Sequence, residues 1–197
     1  MTNRMTADEY NHLTVLALDL SLTAPGYCIG EDCGTIKVPA KIRGMERIQW
    51  IKGEVTSRLL GVRLVVIEGY SFGSKGAAVV NIGELGGVIR HMLWGQSIPY
   101  VEIPPSCLKK YATGKGSAPK DDVLQAGVMR SGRMFADNNA CDAWWLHQMA
   151  LSHYDPMSPL LVKVPVVNLD GLVKVPWVSV RDGSEEKTVV RIEGLGE

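Results

Sequence analysis

The sequence predicts an α/β fold, a mixed five-stranded sheet flanked by helices and followed by a β-rich C-terminal extension. Three observations predict it. Two runs of aliphatic and β-branched residues, 13–19 and 63–68, read as buried strands, and each ends on a carboxylate, Asp19 or Glu68. Stretches with apolar residues at helical spacing alternate with the later strands, the order of a layered α/β domain. Past Asp155 the helical spacing stops, and Leu-Val-Lys-Val-Pro occurs twice, at 161–165 and 172–176.

In order along the chain, the first strand covers about 13–21 and Pro25-Gly26 mark a turn. Residues 27–30 and 34–38 read as short strands joined through Glu31-Asp32, so the first three strands form an antiparallel meander. Residues 42–60 form a helix, with Met45, Ile48, Trp50 or Ile51, Val55 and Leu59 at helical spacing. The Glu68 strand follows Gly61. A second helix, 76–94, is rich in small residues (Gly83, Gly86, Gly87), which suit close packing against its own sheet. Residues 98–103 are the fifth strand, ended by Pro104-Pro105. A glycine-rich basic loop at 109–120 leads to helices at 121–130 and 138–153. The helical crossover lets the first and fourth strands lie side by side, which brings Asp19 and Glu68 to one end of the sheet. Residues 13–154 form one domain. Residues 155–197 read as a β-rich extension, with a hairpin turning at Asp170-Gly171 and a further strand at 188–192, or as a partly ordered tail.

Bulk composition narrows the classes. A chain of 197 residues, 46% hydrophobic and 21% charged, holds one sizeable core. No apolar run is long enough to span a bilayer, and residues 1–12 lack a signal-peptide core, so an intracellular protein without a membrane partner is expected. Cys28, Cys33, Cys107 and Cys141 lack zinc-site spacing and read as four reduced thiols of a cytosolic protein. A net charge of zero argues against a generally basic nucleic-acid coat. A local patch remains: residues 106–133 carry six Lys or Arg against two Asp.

An ionised carboxylate at the end of a buried strand is costly unless a cation or hydrogen-bond donors compensate it. A third acid, Asp142, opens the apolar stretch Ala143-Trp144-Trp145-Leu146. Three acids from two strands and a helix, brought into one cleft, are what a hard divalent cation needs. Taken alone, Asp19 also reads as a turn cap and Asp142 as a helix cap. His12, His91, His147 and His153 show no ligand spacing with the cysteines, and His147, one turn beyond Ala143 on the last helix, reads as a packing residue.

Four blocks, in order, carry a resemblance over roughly residues 13–154: Leu18-Asp19-Leu20-Ser21-Leu22-Thr23-Ala24-Pro25-Gly26-Tyr27, Ile67-Glu68-Gly69-Tyr70-Ser71-Phe72-Gly73, Gly114-Lys115-Gly116-Ser117-Ala118-Pro119-Lys120 and Asp137-Asn138-Asn139-Ala140-Cys141-Asp142-Ala143. The chain resembles the RuvC-type Holliday junction resolvases of the ribonuclease H-like superfamily, most of all their phage-encoded branch. That resemblance implies two Mg²⁺ ions, replaceable by Mn²⁺, held by Asp19, Glu68 and Asp142. Two such ions about 3.5–4 Å apart activate a water and stabilise the leaving oxygen in phosphodiester hydrolysis. The family's fourth ligand position falls on Asn139, whose amide oxygen still offers a ligand atom; alternatively Asp137 reaches the metal through water, or caps the helix.

Lys109 and Lys120 match two family lysines near the scissile phosphate, with Lys120 a candidate for stabilising transition-state charge. With Lys110 and Lys115 they make the expected DNA-binding patch. Tyr70 and Phe72 flank the position of a base-stacking aromatic, and either one stacks on DNA or packs in the core. The resemblance further implies a two-fold homodimer acting on four-way DNA junctions in the cytoplasm, that of a bacterial host if phage-encoded. Two other functions fit parts of the sequence. An actin- or sugar-kinase-like ATPase shares the strand order, but Leu20-Ser21-Leu22-Thr23 stands where that class has a glycine-rich phosphate loop. A non-catalytic branched-DNA scaffold is motivated by Asn139.

Overall fold

Val15-Leu16-Ala17-Leu18-Asp19 forms β1 (Val15–Asp19), buried along its whole length, because both faces of this strand are covered. The computed structural model describes residues 13–69, 77–154 and 165–178. β2 (Gly26–Ile29) returns antiparallel to β1, and β3 (Asp32–Thr35) returns antiparallel to β2. Gly30, with φ +56°, makes the tight turn between β2 and β3. Helix α1 (Gly44–Thr56) crosses over to β4 (Leu64–Glu68), which pairs parallel with β1. Helix α2 (Ala77–Gly95) crosses over to β5 (Tyr100–Ile103), parallel with β4. The sheet order is β3-β2-β1-β4-β5, the predicted meander and crossovers.

Alternation along the strands sorts side chains into two cores. Leu16 and Leu18 of β1 and Val65 and Ile67 of β4 face Ile48, Ile51 and Val55 of α1 and Leu85, Ile89 and Leu93 of α2. Val15, Ala17, Leu64 and Val66 face the other side, where three more helices lie. These are α3 (Pro105–Thr113), α4 (Lys120–Ser131) and α5 (Asn138–Tyr154). Asp19 shares its parity with Val15 and Ala17, and Glu68 with Leu64 and Val66, so both acids point toward the α5 side.

Three expectations are corrected. Helix α3 occupies much of the predicted basic loop: Pro105 pre-sets the first helical turn, and Cys107, Leu108, Tyr111 and Ala112 make a buried stripe. Lys109 and Lys110 therefore sit on a helix, and the loop shrinks to residues 114–119.

Residues 165–178 contain no strand. A 3₁₀ turn (Val166–Asn168) and a short helix, α6 (Asp170–Val173), replace the hairpin predicted at Asp170-Gly171. Tertiary packing decides this: Leu172 and Val175 enter the α5-side core, Asn168 Nδ2 donates to the Tyr111 carbonyl at 2.9 Å, and Tyr154 Oη donates to the Val178 carbonyl at 2.7 Å. The strand predicted at 188–192 lies outside the described residues.

Cys28 and Cys33, read as free thiols, form a disulfide across β2 and β3 because they face each other in register; Cys107 and Cys141 are free and buried. Among the described residues no helix is long and apolar enough to cross a membrane.

Candidate active site

β1 and β4 pair in register through Leu18 and Ile67, so the next residues, Asp19 and Glu68, emerge side by side at the same sheet end. Helix α5 crosses this end directly above them. Its close approach depends on Gly26, the register partner of Asp19: a Cβ on Gly26 would lie 1.9 Å from the Asn139 carbonyl oxygen. The first turn of α5 therefore lies almost on the sheet, and Asp142, one turn further, reaches the two strand acids. One carboxylate oxygen from each of Asp19, Glu68 and Asp142 lies within 4.8 Å of the other two.

Burial and mutual repulsion dominate the electrostatics of the three acids. Burial, then the charge of Glu68, a hydrogen bond to Glu68 and the charge of Asp142 push Asp19 up to about 10, with Lys120 opposing. Burial and Glu68 push Asp142 up to about 7, against Lys120 and Lys109. Three converging acids that cannot all ionise without a cation form an all-oxygen donor set, and that set fits a hard divalent ion. Lys109 and Lys120 belong to this site electrostatically, although they come from two different helices, α3 and α4.

The other expected site residues that are described each have contacts of their own. Asp137 is the N-cap of α5: it accepts the Ala140 N–H at 2.9 Å, and the Thr35 hydroxyl lies 2.8 Å from both its carboxylate oxygens. Among the described residues it is not one of the three acids whose oxygens converge, and its charge acts on Asp142 from the cap position. Asn139 donates from Nδ2 to the Ala24 carbonyl at 2.7 Å, holding the β1–β2 turn against α5. Lys110 turns away toward Asp170 of α6, at 3.9 Å. Lys115 is exposed on the loop. Tyr70 and Phe72 lie outside the described residues.

Gly26, Thr35 and His147 support the site and were not singled out for that role. Gly26 looked like a turn glycine, and only the helix above it gives it a second use. Thr35 carried no signal. Buried His147 accepts the Gly30 N–H on Nε2 at 3.3 Å, pinning the β2–β3 turn to α5, and burial with nearby Arg133 lowers it to about 4.

A mixed sheet of this order, with acids from its two central strands and its last helix, defines a ribonuclease H-like protein with an acidic metal-type centre. Solved structures agree on the fold: Thermus thermophilus RuvC superposes with a TM-score of 0.60 at 18% identity, covering 74% of this chain and 96% of that one. A second structure of that protein, in complex with Holliday junction substrate, gives 0.60 at 16% identity over 75% and 97%. No protein-family model matches the chain.

Curated relatives are nearer in sequence. The crossover junction endodeoxyribonuclease RuvC of Synechococcus sp. (strain CC9605) is 30% identical over 129 residues, 60% of this chain and 82% of its own length. That of Prochlorococcus marinus (strain SARG) is 31% identical over 134 residues, 62% and 85% respectively. The chain belongs to the RuvC family of crossover junction endodeoxyribonucleases.

Proposed function

We propose that this chain is a divalent-metal-dependent endonuclease that resolves Holliday junctions by symmetric phosphodiester hydrolysis, working in the cytoplasm as a homodimer. The observation that carries it is the convergence of Asp19, Glu68 and Asp142 within 4.8 Å, in a chain of the RuvC family. These three would hold Mg²⁺ or Mn²⁺, two ions per site, with Oδ1 of Asn139 the candidate fourth ligand. Cations bound there supply charge neutralisation at the scissile phosphate and an activated water.

The chain's own residues bind and orient. Lys120 and Lys109 counter the acids now and would face the phosphate, where fixed positive charge stabilises the transition state. Gly114, at φ +83°, and Gly116, whose Cβ position is 3.1 Å from the Ser106 carbonyl, shape the loop that carries Lys115. The dimer reading rests on the outward face of α2. Val80 and Trp94 are exposed there, and a Cβ on Gly83 or Gly87 would meet nothing within 4 Å. Gly86 is buried on the inner side.

The test is purified protein with a synthetic four-way junction. Paired nicks at symmetric positions, leaving 5′-phosphate and 3′-hydroxyl ends, should require Mg²⁺ or Mn²⁺ and vanish in Asp19→Asn. Tight binding without cutting in either metal would instead make the chain a branched-DNA scaffold and end the enzyme reading.

A further inference from the structure

The carboxylate end of the sheet has a second basic flank. β1 and β3 both run antiparallel to β2, so the chain leaves β3 at the end where Asp19 stands. Thr35 pairs with Gly26 and Gly26 with Asp19, which puts the exit two strands, roughly 10 Å, from Asp19. The Thr35 hydroxyl also holds Asp137, tying this exit to the helix that carries Asp142. Residues 36–47 then run into α1 with four cations, Lys37, Lys41, Arg43 and Arg47, against one acid, Glu46. Ile36 anchors the segment in the α1–α2 core, while Lys37, Lys41 and Arg43 are exposed.

Two of these cations are held together. Arg43 Nη1 donates to the Ala40 carbonyl and, at 2.9 Å, to that of Ile42. Arg47 donates to the same Ile42 carbonyl through Nε at 3.2 Å and Nη2 at 2.9 Å. Among the described residues none of the four cations forms a salt bridge. Like charges gathered on one carbonyl repel, and an anion with several acceptor oxygens relieves that repulsion. A phosphodiester backbone has this chemistry and suits guanidinium forks.

We propose that the β3–α1 segment is a second DNA-backbone contact, in which Lys37, Lys41, Arg43 and Arg47 grip phosphates of a junction arm. Within the nuclease reading, on which this rests, the acids sit on the two central strands. Lys109 and Lys120 lie on helices following β5 at one sheet edge, and the new segment follows β3 at the other. DNA lying across this end of the sheet meets positive charge on both sides of the bond to be cut. At about 3.4 Å of axis per phosphate on one strand, the segment's contacts begin about three nucleotides from that bond.

The test compares four-way-junction binding by the full chain carrying Asp19→Asn with the same chain also carrying Lys37→Ala, Lys41→Ala and Arg43→Ala, between 50 and 200 mM salt. Each lost phosphate contact should flatten the slope of log affinity against log salt by about 0.9, so the triple change should flatten it by about two to three and weaken binding about tenfold or more. Lys52→Ala, two turns into α1, should change neither, and the triple variant should melt with its parent because the replaced side chains are exposed. Unchanged affinity and slope in the triple variant, with wild type still cutting, would overturn this inference alone. Wild type that neither binds nor cuts the junction would overturn the nuclease reading and this proposal with it.

Discussion

Asp142 is a buried acid whose neighbours are also acids, and that has a measurable cost. Its folded value, about 7, lies above the ordinary 3.8, so the folded state keeps a proton that the unfolded chain has released. Without metal, stability should therefore fall as pH rises from about 4 through 7. Asp142→Asn removes this penalty: at pH 8 without metal the variant should be more stable than wild type by about 2–4 kcal/mol, with the gain gone at pH 4. Mg²⁺ should raise the melting temperature of wild type far more than that of the variant. Thermal melts with and without EDTA check both; a variant no more stable than wild type at pH 8 would remove the electrostatic basis of the site. His147 works in the opposite sense. Lowered to about 4, it accepts the Gly30 N–H only when neutral, so its contribution is complete above about 6.5 and is lost as pH falls toward 4. Denaturant melts at pH 4.5 and 7 should show a wild-type loss of up to about 3 kcal/mol from this group that His147→Gln lacks.

At the scale of elements, the site depends on how closely α5 approaches the β1–β2 edge. Gly26→Ala drives a methyl group into the Asn139 backbone, which has nowhere to retreat while Asp137 is held by Thr35. The change should cost about 1–3 kcal/mol and displace Asp142, lowering Mg²⁺-dependent cutting more than junction binding. A Gly26→Ala variant with wild-type stability and activity would show that this contact is not needed. Asp137→Ala should cost about 1 kcal/mol of stability as a lost cap while leaving metal-dependent cutting in place. Loss of cutting as complete as in Asp19→Asn would instead place Asp137 in the ligand set.

On the scale of the whole molecule, one active site makes one cut, and a four-way junction needs two. The outward face of α2, with Val80, Gly83, Gly87 and Trp94, offers an apolar surface with room for a second helix. Sedimentation should show a dimer for wild type and a shift to monomer for Gly87→Glu, because a charged side chain there would be buried between two helices. The monomeric variant should nick one strand without the coordinated second cut. A monomeric wild type would remove α2 as the dimer face.

Strand identity, meander and crossover order, and the three acids were all legible in the chain. Short β-branched runs ending in Asp19 and Glu68 are local signals that carry their own physics, since a charge at the end of a buried strand demands compensation. Helix α3 was hidden because Pro104-Pro105 and the lysines that follow read as loop, while its apolar stripe is barely two turns long. The Val-Pro segments had strand composition, yet Leu172 and Val175 found a core to enter, and packing overrode propensity. What the residues determined alone was which groups carry charge and which elements present them. That Asp137 caps α5 and is held by Thr35, where Lys110 points, and that Gly26 admits a helix onto the sheet were decided only by tertiary contact. Each depends on an atom far along the chain, or on the path a neighbouring element takes, and no local pattern of residues encodes either.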